Sequence, residues 1–139
     1  MSINMPLDFK CPYCRNKQKI VIWQSINVTV NPELKNKLLA AEINQFTCEK
    51  CGKKTLLNVP LLYHDMEKKF CVQYYPPEML NDYEFLQQFN LDGSFIMMGI
   101  SKSITKLSDY IIRPHIVFDM NEMVRYVAFR EKIAFKENE

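Results

Sequence analysis

The chain has 139 residues, 47% of them hydrophobic and 24% charged, with a formal net charge of +2. That length supports one domain with a real core, and so small a net charge makes no general demand for nucleic acid or a membrane surface. No apolar run approaches the roughly 20 residues that span a bilayer. The opening Met1-Ser2-Ile3-Asn4-Met5-Pro6 has neither the basic start nor the apolar centre of a signal peptide, so a cytoplasmic location is expected.

In chain order, the first feature is a cysteine pair, Cys11-Pro12-Tyr13-Cys14. After a gap of 33 residues a second pair follows, Cys48-Glu49-Lys50-Cys51. Two residues between cysteines let one tight turn aim both sulfurs at a point. Two such turns face to face complete the tetrahedral ligand set of a zinc ion. In a reducing compartment paired cysteines bind metal more readily than they form disulfides, and Cys71 is left without a partner.

Residues 17–30 alternate, with Ile20, Ile22, Ile26, Val28 and Val30 on one face, which predicts a strand. Asn31-Pro32-Glu33 opens a helix, with a capping residue and a proline at the first helical position. Leu34, Leu38 and Ala41 give it a buried stripe to about residue 43. Phe46-Thr47 leads into the second knuckle, which Gly52 closes with the positive φ such a turn needs. Residues 56–63 read as an edge or bulged strand because of Pro60, 64–68 as a polar turn, and 70–75 as a strand stopped by Pro76-Pro77.

Beyond that boundary, 78–89 reads as a helix with Met79, Tyr83 and Leu86 inward, and Asp92-Gly93 as a turn. The 95–100 run fits a strand or a buried helix, 103–110 is ambiguous, and 111–118 reads as a strand. Asp119-Met120-Asn121-Glu122 has the form of a capping box and starts a helix carrying Met123, Val124 and Val127 to about residue 133. The expected fold is α+β: a small antiparallel sheet with a zinc-ribbon-like four-cysteine site, a helix inserted between the knuckles, and a C-terminal strand–helix portion. Residues 1–76 are expected to form the metal-binding domain, with 77–139 packed on it or continuous with it.

Several segments in one order carry a resemblance. They are Cys11-Pro12-Tyr13-Cys14, Trp23-Gln24-Ser25-Ile26-Asn27-Val28, Asn31-Pro32-Glu33-Leu34-Lys35, Phe46-Thr47-Cys48-Glu49-Lys50-Cys51-Gly52 and Leu61-Leu62-Tyr63-His64-Asp65. Together they resemble the CpXC-domain family, with the likeness clearest over residues 9–75. The resemblance implies a bacterial cytoplasmic protein built on a zinc-ribbon-like unit, and it brings no activity with it.

The expected metal ligands are therefore Cys11, Cys14, Cys48 and Cys51, holding one structural Zn2+. Four sulfurs fill the tetrahedron, whereas catalytic zinc keeps a position open. No catalytic residue is assigned. The expected function is that of a non-enzymatic, zinc-stabilised binding or adaptor protein, with another protein or a second copy of the chain as partner and no membrane. Nucleic acid is the alternative partner: Trp23, Phe70, Tyr74 and Tyr75 could stack on bases while Arg15, Lys17, Lys19, Lys53 and Lys54 meet phosphates. A further alternative is an enzyme with His64 as base, Asp65 as its orienter and Cys71 as nucleophile, against a plain polar turn. His115, in an apolar stretch, reads as a core or edge histidine, and the Met97-Met98 and Met120/Met123 pairs as packing.

Overall fold

The computed structural model describes residues 2–96 and 109–137. The Met97-Met98 pair, the end of the 95–100 run and most of 103–110 lie outside the described residues.

Strands β1 (Ile3–Lys10) and β2 (Lys17–Asn27) form an antiparallel hairpin that carries the first cysteine pair at its turn. No strand was expected at 3–10. Ile3, Met5, Leu7 and Phe9 do alternate, but Pro6 argues against a central strand; β1 tolerates it as the outermost strand of the sheet. β2 stops at Asn27 rather than Val30 because the Asn27 Oδ1 accepts the N–H groups of Thr29 (3.0 Å) and Val30 (3.2 Å). That Asx turn competes with further ladder pairing.

Helix α1 (Glu33–Leu39) starts after Pro32, with no side-chain cap. Asn31 contributes only its carbonyl, to Leu34 N–H at 3.1 Å. It ends a turn earlier than the apolar stripe suggests. Ala41 adopts φ 60° and its N–H closes onto Leu38, so Ala41 faces solvent and Ile43 is buried by the following loop. Strands β3 (Gln45–Thr47) and β4 (Lys54–Leu56) make a second antiparallel ribbon that carries the second pair.

The strand expected over 56–63 is in fact two strands in different sheets. Leu56 ends β4, and after a break containing Pro60 the chain enters β5 (Leu61–Asp65). His64 and Asp65 thus lie in a strand, not a turn. The turn is 66–69, capped by Asp65 accepting Lys68 N–H at 2.8 Å, and it leads into β6 (Phe70–Tyr74).

Past Pro76, a 3-10 turn (Pro77–Asn81) and the short α2 (Tyr83–Leu86) replace the single helix expected over 78–89. The Asp82 carboxylate caps α2 by accepting Glu84 N–H, which restarts the helix in a new phase. Phe85 is therefore the buried residue, packed at 4.6 Å against Tyr75, while Tyr83 is 73% exposed. Next come α3 (Asp109–Ile112), β7 (His115–Val117) and α4 (Met120–Glu137). The strand expected from residue 111 begins only after Pro114, since Ile111 and Ile112 belong to α3. Asp119 caps α4 by accepting Asn121 N–H at 2.9 Å, whereas Glu122 turns to Arg125 instead of closing the box.

The main sheet has the order β1-β2-β5-β6-β7. The class is α+β, but the sheet is larger than expected and mixed, since β2–β5 and β6–β7 are parallel. α1 and α4 cover it, and Ile26, Leu38, Tyr63, Val72, Met123 and Val127 meet in one core at 0–1% exposure. Glu131 of α4 takes both Lys35 of α1 (3.2 Å) and Lys68 (3.3 Å), which ties the two helices and the β5–β6 turn together.

Candidate metal centre

Both knuckles have the same local geometry. In the first, Cys11 N–H donates to the Asn16 carbonyl (2.8 Å) and Arg15 N–H to the Cys11 carbonyl (2.9 Å). In the second, Cys48 N–H donates to the Lys53 carbonyl (3.0 Å) and Gly52 N–H to the Cys48 carbonyl (2.9 Å). Each turn closes with a left-handed residue, Arg15 at φ 64° and Gly52 at φ 71°.

The four sulfurs lie within 4.8 Å of one another. Cys11 and Cys51 Sγ are 3.7 Å apart, and Cys14 and Cys48 Sγ 3.5 Å. A tetrahedron with metal–sulfur distances of about 2.3 Å has edges of about 3.8 Å, so the spacing suits a thiophilic divalent cation. Phe9 and Phe46 pack edge to face at 4.6 Å, and with Ile20 they form an apolar floor beneath Cys11 and Cys48, which are 1% and 2% exposed. Gln18 of β2 accepts Glu49 N–H at 3.0 Å and so joins the two ribbons directly. Asn44, buried and at φ 55°, accepts Trp23 N–H (2.7 Å) and donates to Trp23 C=O (3.0 Å), anchoring the second ribbon to the main sheet.

The electrostatics of the cluster favour a cation. Backbone N–H from Cys51 aimed at Cys48 outweighs burial and brings that thiol down to about 6. Burial opposes ionisation of Cys11, yet the N–H groups of Cys14 and Tyr13 hold it below the ordinary thiol range. Cys14 receives the N–H of Asn16, but burial and the other three sulfurs prevail and push it up to about 11. Four sulfurs this close resist carrying four negative charges; a divalent ion at their centre removes that conflict.

The remaining candidates are placed differently. His64 Nε2 and the Tyr110 hydroxyl are 2.9 Å apart, and burial lowers the histidine's pKa. Asp65 pairs with Lys68 Nζ at 3.5 Å and caps the turn. Cys71 stands opposite His64 in the β5–β6 register, but it is 3% exposed and burial pushes its thiol up to about 12, so it holds its proton at neutral pH. His115 stacks on Tyr126 with ring centroids 3.8 Å apart. The suggested aromatic platform is core: Phe70, Tyr74 and Tyr75 are all buried, and Trp23 packs against the same cluster, because both faces of β6 are covered. Sequence reasoning missed Tyr13, 57% exposed with Lys53 Nζ 4.4 Å from its ring centroid, and it missed the left-handed Arg15. The identical position of Gly52 in the other knuckle was the available signal for Arg15.

Among the described residues no helix is long and apolar enough to cross a membrane. No curated protein and no solved structure matches the chain. A family model described as the CpXC protein matches residues 9–138, which takes in both knuckles, the whole core and all of α4. By that match the chain belongs to the CpXC family.

Proposed function

We propose that Cys11, Cys14, Cys48 and Cys51 bind one zinc ion and that the chain is a non-enzymatic binding module whose metal is structural. The observation carrying this reading is the closed spacing of four sulfurs on two matched turns, which leaves no coordination position for water or substrate. The metal holds the β1–β2 and β3–β4 ribbons against each other, joining residues far apart in sequence. The buried Cys71 and its protonated thiol give no support to a nucleophile. In this reading residues 1–76 and 77–139 form one continuous domain, since β7 pairs with β6 and α4 enters the same core. The free thiols suit a reducing cytoplasm.

Cys48→Ser tests the assignment. It removes a buried ligand, so the variant should retain metal about 100-fold more weakly and melt at least about 5 °C lower than the parent. Unchanged metal content and melting overturn it.

A further inference from the structure

We infer that the metal lobe is a docking surface for single-stranded nucleic acid, gripped through its phosphates; this deepens the binding-module reading above and rests on it. In the β1–β2 hairpin Lys10 stands directly opposite Lys17 and Asp8 opposite Lys19. Opposed residues share a face and alternate residues return to it, so these four side chains occupy one face. Phe9 and Ile20, on the other face, pack onto the sulfur cluster. The ribbon is thus apolar toward the metal and basic away from it. A cleft of about 450 Å³ runs along it, lined by Asp8, Phe9, Lys10, Lys17, Gln18 and Lys19.

The charge there is not internally balanced. Like charges directly across a ladder are unfavourable, yet Lys10 and Lys17 are placed so. Over residues 8–19 and 45–56 the lobe carries seven cations, including Arg15, Lys50, Lys53 and Lys54, against the carboxylates of Asp8 and Glu49. None of the seven pairs with a carboxylate among the described residues. A divalent ion on four thiolates leaves a net −2, so a surplus of about three positive charges remains for an anionic partner.

Tyr13 decides between anionic partners. It projects from the tip of the first knuckle, 57% exposed, with Lys53 Nζ over one face of its ring at 4.4 Å from the centroid, which leaves the opposite face for a stacking partner. A base stacks on such a ring while its phosphate meets the cation, and only an unpaired strand offers bases free to stack. An acidic peptide offers no base to stack there, and the vesicle arm of the test separates an anionic lipid surface from a nucleic acid.

The test uses the metal-loaded full chain and a fluorescently labelled mixed-sequence DNA 12-mer, followed by anisotropy as salt is raised from about 20 mM. With three or four phosphates neutralised, log affinity should fall against log salt with a slope of about −2 to −3. Lys17→Ala should make that slope shallower by about 0.7. Tyr13→Ala should weaken binding about tenfold without changing it. The inference is overturned by absence of binding at the lowest salt, by a Lys17→Ala variant that behaves as the parent, or by tighter binding to poly-glutamate or to phosphatidylserine vesicles than to the oligonucleotide. Metal analysis of the same preparation separates the two readings. A chain that carries zinc but ignores DNA defeats this inference alone, and a chain that binds DNA without metal defeats the clasp alone.

Discussion

Arg15 and Gly52 occupy the same place in the two knuckles, each in the left-handed region where a residue with a Cβ is strained by about 1–2 kcal/mol. Only one of the two is a glycine. Arg15→Gly relieves that strain but loosens the unfolded chain, so it should raise stability by up to about 1 kcal/mol. Gly52→Ala should lower it by about 1 kcal/mol. A Cβ at Gly52 meets nothing within 4 Å, so that cost is backbone alone. Chemical denaturation of the metal-loaded variants checks both, and a loss of stability in Arg15→Gly or a gain in Gly52→Ala would contradict the matched-turn geometry. At this scale the sequence was informative where residue chemistry is local. The four cysteines and Gly52 could be read directly. Arg15 and Ala41 could not, because their left-handed φ values are imposed by the turns they close, not by preference.

Elements with clear internal periodicity were legible: β2, α1, and above all α4, which was expected to carry Met123, Val124 and Val127 to about residue 133 and which runs to Glu137 with Met123 and Val127 fully buried. Elements that depend on distant partners were not. β6 is buried on both faces, so its aromatic side chains looked available as a platform when they are core. The 56–63 stretch reads as continuous until Pro60 and its neighbours are seen to pass between two sheets. β1 is justified only by the β2 edge it pairs with. α4 has a direct test. Met123→Ala deletes a side chain at 0% exposure and should cost about 3 kcal/mol, lowering the melting temperature by roughly 10 °C. Phe129→Ala, on the 56% exposed side of the same helix, should change stability by less than about 0.5 kcal/mol. Equal effects from the two variants would mean that α4 does not pack as described.

At the scale of the whole molecule, a mixed sheet and two helices form the larger core, and the two cysteine-bearing ribbons form a smaller one at the far end of β1 and β2. The smaller core has few apolar residues: Phe9, Ile20 and Phe46 beside the cysteines. So little buried area stabilises a lobe weakly, and the proposed ion would supply the missing cohesion. With that ion in place, the lobe would present its basic face as a fixed surface. The proposed clasp therefore depends on what the four sulfurs hold. Elemental analysis of the purified full chain, after extensive dialysis without chelator, measures it directly. One zinc per chain is the predicted result. A chain that folds with no metal, or with iron in place of zinc, would contradict it.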